Sequence, residues 1–115
     1  MIEAIRIENL RSIQDSGYIN FKALNILVGT NSSGKSTFLR SFPLLSQSIN
    51  KSLRGPISWF DVTSVDFGDY VTAKNKFASE DETIRFSFII KRISAHIRPT
   101  RIRYFSLGRL SLIHI

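Results

Sequence analysis

The amino-acid sequence predicts an α/β fold in which a mixed β-sheet packs against one long helix. Three patterns support this prediction: apolar and charged residues alternate near the N-terminus, an aliphatic run follows, and apolar residues then recur at helical spacing. A period of two is typical of a half-buried strand, whereas a stripe at helical spacing is typical of an amphipathic helix. The chain of 115 residues, 43% of them hydrophobic, is long enough for one small domain.

The strands predicted in the first 30 residues differ in how far they are buried. In Ile2–Glu8 isoleucines alternate with charged residues, which predicts a half-buried strand. The segment Asn9–Gly17 is rich in Asn, Ser, Asp and Gly and is predicted to be a loop. A short strand is expected over Tyr18–Lys22. The run Leu24–Val28 is almost continuously aliphatic, as expected of a strand that is buried on both faces.

A helix is predicted to begin at Ser36. Its apolar residues fall at positions i, i+4, i+7 and i+11 and would form a single stripe, namely Phe38, Phe42, Leu45 and Ile49. Pro43 lies inside this helix. Because proline has no amide hydrogen and clashes with the preceding turn, we expect a kink near residues 40–43 rather than an end of the helix.

The clearest strand after this helix is Thr83–Lys91. Its even-numbered residues from 84 to 90 are all apolar, whereas the odd-numbered ones include Arg85, Ser87 and Ile89. We therefore expect one face in the core and a second face that is only partly polar.

Composition excludes several classes of protein. The sequence has no cysteine, which excludes a disulfide scaffold, a zinc-thiolate site and thiol catalysis, and which agrees with a location in the reducing cytoplasm. Its apolar runs of about five residues are far shorter than the roughly 20 residues of a membrane-spanning helix. Residues 91–115 hold six Lys or Arg and no acidic residue, so the net charge of +7 describes the C-terminal end rather than a basic domain.

The segment 29–36 contains the one strong motif of the sequence. It reads Gly-Thr-Asn-Ser-Ser-Gly-Lys-Ser and matches G-x-x-x-x-G-K-[ST], the Walker A pattern of a P-loop. Its glycines let the backbone curl so that the amides form a concave ring of donors for a polyphosphate. Lys35 would neutralise the β- and γ-phosphates, and the Ser36 hydroxyl would bind Mg²⁺, which prefers oxygen ligands. The sequence therefore predicts a P-loop NTPase with ATP and Mg²⁺ as cofactors; the alternative is a Gly/Ser-rich turn with an exposed lysine.

Three segments narrow this prediction. They read I-x-I-E-N-L-R-S from residue 5, I-N-F-K-A-L-N-I-L-V-G-x-N from residue 19 and S-G-K-S-T from residue 33. Together they resemble the N-terminal lobe of ABC-type ATPases of the AAA group. The likeness is greatest to the RecF/SMC-like branch, which includes the ATPases of OLD nucleases and of Septu- or retron-associated phage defence. It covers about residues 1–50.

The resemblance implies a set of nucleotide contacts, namely Arg11, Ser12, Gly29, Asn31, Ser32, Ser33, Gly34, Lys35, Ser36 and Thr37. Arg11 and Ser12 match a segment that borders the nucleotide, and Thr37 matches a residue near the α-phosphate. Ser32 departs from the family pattern, in which glycine is common. If the loop needs a left-handed backbone there, serine costs roughly 1 kcal/mol. Asp66–Asp69 lies where such ATPases sense the γ-phosphate with a glutamine. It contains no glutamine and is expected to be a Gly-containing turn between strands.

The resemblance also implies a parent enzyme that forms a homodimer around two ATP molecules and hydrolyses ATP for DNA repair or phage defence. The implied partners are DNA and a nuclease. No association with a membrane is expected. No apolar strand in the sequence runs into Asp-Glu, and no L-S-G-G-Q-type signature is present, so no catalytic residue is predicted in this chain. We expect residues 1–93 to be a partial ATP-binding domain and residues 94–115 to be a basic tail.

Two other functions stay open. The nucleotide-binding domain of an ABC transporter would share the Walker A motif, but such domains usually carry an adenine-stacking aromatic before it, and Asn9–Ser12 favours the DNA branch. A non-hydrolysing, ATP-gated interaction module would need no Walker B residues. The arginines of the tail either contact DNA phosphates or belong to a terminus foreign to the fold.

Overall fold

The computed structural model describes residues 1–49 and 55–91. In chain order its elements are β1 (Ile2–Leu10), β2 (Ile13–Asp15), β3 (Ile19–Asn20), α1 (Lys35–Ile49), α2 (Tyr70–Ala73) and β4 (Arg85–Ile90). The tail predicted over residues 94–115 lies outside the described residues, so its contacts stay a prediction. Within the described ranges, no helix combines the length and apolar character needed to cross a membrane.

Strand β1 is the centre of the sheet because every other strand pairs with it. Glu8 pairs with both Asp15 and Arg85, which places β2 and β4 on opposite edges of β1. All pairs among the described strands are antiparallel, so this part of the sheet is not the mixed sheet that the sequence predicted. The short turns between β1, β2 and β3 permit only antiparallel pairs, since a parallel pair needs a long crossover.

The predicted loop Asn9–Gly17 instead contains the turn and second strand of a hairpin. Leu10 pairs with Ile13, which leaves only Arg11 and Ser12 in the turn. Arg11 adopts a left-handed backbone with a φ of 47°. Strand β2 has a single buried residue, Ile13, and this is why its polar composition concealed a strand.

The buried strand predicted at Leu24–Val28 is absent, because this segment forms neither helix nor strand. Leu24, Ile26 and Val28 are 75%, 75% and 85% exposed, and only Leu27 packs against the core. A central strand is buried with the help of the neighbours that pair with it. Both edges of β1 are already occupied by β2, β3 and β4, so the aliphatic run stays at the surface in the described part of the chain.

Helix α1 begins at Lys35, one residue before the predicted start, and continues past Pro43. Its buried residues are Thr37, Phe38, Ser41, Leu44 and Gln47. Of the predicted apolar stripe, Phe38 is buried and Leu45 packs against the core, but Phe42 is 37% exposed and the last residue of the helix is 80% exposed. Polar residues take buried positions instead because they find partners there. The Ser41 hydroxyl, for example, donates to the Phe38 carbonyl at 2.6 Å.

The side chain of Gln47 joins α1 to the segment 57–67. Its Nε2 donates to the carbonyls of Ser58 at 2.5 Å and Val65 at 3.2 Å, and its Oε1 accepts from the Val65 amide at 3.1 Å. These bonds offset the cost of taking an amide out of water. The core beside them includes Ile5, Ile7, Leu10, Leu44, Phe67 and Phe86.

Strand β4, Arg85–Ile90, lies within the predicted range. Ile84 and Phe86 are buried as expected, but Ser87, on the face predicted to be partly polar, is only 1% exposed. Ser87 pairs with Arg6, so the two side chains share a face and the long arginine lies beside the small serine.

Candidate functional site

The loop 29–34 has a backbone that few residue types adopt readily. Ser32 has a φ of 67° and Gly34 a φ of 105°, both in the left-handed region. Ser32 therefore has the left-handed backbone at which serine was expected to cost about 1 kcal/mol of conformational free energy. A Cβ on Gly34 would lie 2.7 Å from Ile13 Cγ1, so the close approach of β2 also requires glycine there.

Lys35 folds back on the loop that precedes it. Its ammonium donates to the carbonyl of Gly29 and, at 2.7 Å, to that of Thr30. An ammonium has three donors and no acceptor, so these two bonds fix its position without neutralising its charge. The positive charge is thus held at the start of the loop, next to the first turn of α1.

A cavity of about 320 Å³ lies at this loop. It is lined by Ser12, Thr30, Asn31, Ser32, Gly34, Lys35, Ser36 and Thr37. All of these except Thr30 belong to the set that the sequence predicted. The lining combines an ammonium and several hydroxyls, which suit a polyphosphate and Mg²⁺, and it contains no carboxylate that would repel the phosphates.

Three predicted contacts lie outside this lining. Gly29 contributes its carbonyl to Lys35. Ser33 lines a neighbouring cavity of about 460 Å³, which Gly34 also lines. Arg11 lines a third cavity on another side of the loop. The structure therefore brings seven predicted residues to one cavity and places the other three at its margins.

The guanidinium of Arg11 packs on the ring of Phe67, with its Cζ 4.4 Å from the ring centroid. It donates to the Asp66 carbonyl at 3.0 Å, and Arg40 from α1 donates to the same carbonyl at 3.2 Å. Burial lowers the pKa of Arg11, and the nearby charge of Arg40 lowers this pKa further, against the opposing effect of Asp66. Arg11 therefore links the hairpin turn to the segment around Phe67.

The segment Asp66–Asp69 forms the expected Gly-containing turn. The Asp66 carboxylate accepts from the Gly68 amide at 2.7 Å, and Gly68 has a φ of 74°. Asp69 caps α2 by accepting from the Thr72 amide at 2.7 Å, and this bond lowers the pKa of Asp69. A short helix rather than a strand follows the turn.

Six residues that line the third cavity, a cleft of about 560 Å³, were not predicted from the sequence. Besides Arg11, Ser12 and Ser32, the cleft is lined by Gln14, Thr72, Lys74, Asn75, Lys76 and Phe77. The signal that was available is the alternation of two lysines with polar and aromatic residues over 74–77.

Within residues 1–49 and 55–91, no three His, Cys, Asp or Glu side chains cluster as a metal site.

The small sheet, the glycine-containing loop and the helix that follows it fit a P-loop NTPase-like fold. A family model described as an AAA ATPase domain matches residues 1–109, and the chain belongs to this family. Membership implies that the chain uses ATP, usually with Mg²⁺. No curated protein and no solved structure matches the chain.

Proposed function

We propose that the chain binds ATP with Mg²⁺ through residues 29–37 and acts as the nucleotide-binding part of an ATPase. The observation that carries this proposal is the cavity at the loop, where Lys35, Ser36 and Thr37 meet the Ser12 turn without any carboxylate. Membership of the AAA ATPase family supports the same activity.

Each part of the cavity has a role in this proposal. The Lys35 ammonium exchanges the loop carbonyls for the β- and γ-phosphates, because a charge-assisted bond is stronger than a bond to a neutral carbonyl. The Ser36 hydroxyl supplies an oxygen ligand to Mg²⁺. The amides of residues 31–36 and the N-terminus of α1 direct partial positive charge at the same phosphates.

We propose that hydrolysis needs a carboxylate that this chain does not direct at the nucleotide. Three of the four aspartates after α1, namely Asp61, Asp66 and Asp69, each accept a bond within their own turn. Asp61, for example, accepts from both the amide and the hydroxyl of Thr63 at 2.8 Å. These bonds also favour the alternative of a non-hydrolysing module in which ATP regulates a partner. ATP hydrolysis is therefore proposed for the complete enzyme rather than for these residues.

The biological task that we infer is DNA repair or phage defence, performed by a homodimer with DNA and a nuclease as partners. This inference depends on the likeness of Asn9–Ser12 and of the flanking strands to the RecF/SMC-like branch. In the structure Ser12 lines the loop cavity, so the segment that carries the likeness lies beside the proposed nucleotide.

A calorimetric titration that compares ATP, ADP and AMP, each with Mg²⁺, tests the proposal. The cavity is expected to bind the terminal phosphates, and each charged hydrogen bond contributes about 1.5–3 kcal/mol. Affinity should therefore fall by about tenfold or more with each phosphate removed. Equal affinity for ATP and AMP would contradict recognition of the polyphosphate, and so would an absence of binding.

A further inference from the structure

The cleft lined by Phe77 adjoins the loop cavity, because Ser12 and Ser32 line both. Its volume of about 560 Å³ is within the range of about 300–1,000 Å³ that is usual for small-molecule sites. The cleft therefore lies next to the place that the phosphates of a nucleotide would occupy.

The charge of this cleft suits the part of a nucleotide next to the phosphates. Arg11, Lys74 and Lys76 line it, and no Asp or Glu does. The other cavity beside the loop differs, since its lining includes the carboxylate of Asp15. The phosphate nearest the cleft therefore meets cations there, whereas a carboxylate lines the other cavity.

The same cleft also offers an aromatic face. Phe77 is 74% exposed, and the Lys76 ammonium lies 5.4 Å from the centroid of its ring. By contrast, Phe38, the aromatic residue that lines the cavity with Asp15, is only 8% exposed because it belongs to the core. A planar base can stack on an exposed ring but not on a buried one.

A buried asparagine fixes the position of Phe77 relative to the loop. Asn75 is only 4% exposed. Its backbone amide donates to the Asn9 carbonyl at 2.9 Å, and its side-chain Nδ2 donates to the Arg11 carbonyl at 2.5 Å. Its Oδ1 accepts from the Phe77 amide at 2.9 Å. The Arg11 amide in turn donates to the Ala73 carbonyl at 2.7 Å. The residues that present the ring are thus bound directly to the hairpin turn that borders the loop.

We propose that this cleft binds the adenosine half of the nucleotide whose phosphates occupy the loop, with the base stacked on Phe77. The inference rests on the proposed function, because it needs the triphosphate at Lys35. The position of the cleft beside the loop cavity favours a mononucleotide over a strand of single-stranded DNA, which would also use cations and an aromatic ring.

The test compares ATP with inorganic tripolyphosphate, each with Mg²⁺, by calorimetry on the full chain. In Phe77→Ala the affinity for ATP should fall roughly five- to a hundredfold, the range for loss of one stacked base. The affinity for tripolyphosphate, which has no base, should not change. Phe60→Ala is the matched control, because Phe60 is also exposed, at 52%, but does not line the cleft.

Phe77→Trp is the second variant. It should keep the affinity for ATP, and its added fluorescence should be quenched by ATP but not by tripolyphosphate. Three outcomes would overturn the inference: unchanged ATP affinity in Phe77→Ala, an equal loss for both ligands, or a loss of affinity for an oligothymidine alone. Failure of the wild-type chain to bind tripolyphosphate would instead refute the loop site itself, and the inference with it.

Discussion

Replacing Lys35 with alanine removes the one ammonium that lines the loop cavity. In the protein without nucleotide this ammonium donates to the carbonyls of Gly29 and Thr30. Both of these residues are exposed, so in Lys35→Ala water takes over the two carbonyls. The free energy of unfolding should therefore change by less than about 0.5 kcal/mol, as for an ordinary surface substitution.

The loss of nucleotide affinity should be much larger than the loss of stability. A hydrogen bond to a charged group contributes about 1.5–3 kcal/mol, and the wild-type lysine first gives up two bonds to neutral carbonyls. We therefore expect a net loss of about 2–3 kcal/mol in binding. This corresponds to roughly a 30- to 140-fold increase in the Kd for ATP with Mg²⁺.

Calorimetric titration of both proteins with ATP and Mg²⁺ gives the Kd ratio, and urea unfolding gives the stability difference. Lys22→Ala is the control, because Lys22 is exposed and lines none of the three cavities around the loop. It should leave both quantities unchanged. A Kd ratio near one for Lys35→Ala, with the fold intact, would refute the assignment of this loop to the phosphates.

Three further predictions concern the metal, turnover and pH. Ser36→Ala should weaken ATP binding with Mg²⁺ several-fold but not in EDTA; an equal loss in both conditions would contradict its role as a metal ligand. The wild-type chain should bind ATP without hydrolysing it, and phosphate release near 1 s⁻¹ that disappears in Lys35→Ala would show the opposite. The ion pair with Arg6 lowers the pKa of Asp15 to about 2, so its stabilising effect is complete above about pH 4 and is lost as the pH falls through 2. Urea unfolding between pH 4 and 2 should therefore show a smaller loss of stability in Asp15→Asn than in the wild type.

Local patterns were sufficient for the part of the site that is contiguous in sequence. The Walker A spacing predicted the loop and the helix after it, and the family pattern singled out the unusual backbone of Ser32. Ser12 was also predicted, and it lines the cavity. The positions of these residues were predictable because a loop and the first turn of the helix after it are contiguous in sequence, whereas phosphate binding by them stays a prediction.

Features that depend on distant partners were not predictable in the same way. The aliphatic run Leu24–Val28 indicated a buried strand, but burial requires neighbouring strands that the run itself does not specify. Gln47 occupies a buried helix position because its amide meets the backbone of Val65, and no periodicity shows such a match. Asn75 likewise acts through the carbonyls of the hairpin turn. Backbone atoms of distant segments supply these bonds, and a sequence pattern carries no information on them.

The pairing of β1 with β4 has a consequence for synthesis of the protein. The two strands are about 80 residues apart in the chain, and a ribosome adds about 5–20 residues per second. Strand β4 is therefore synthesised about 4–16 s after β1. Contacts so distant in sequence also form slowly, because a long loop must close first. A nascent chain that ends before Arg85 thus contains the whole Walker A sequence but lacks the strand that pairs with β1 from Ile2 to Glu8. Capture of nucleotide should accordingly be among the last properties that the protein acquires as it emerges.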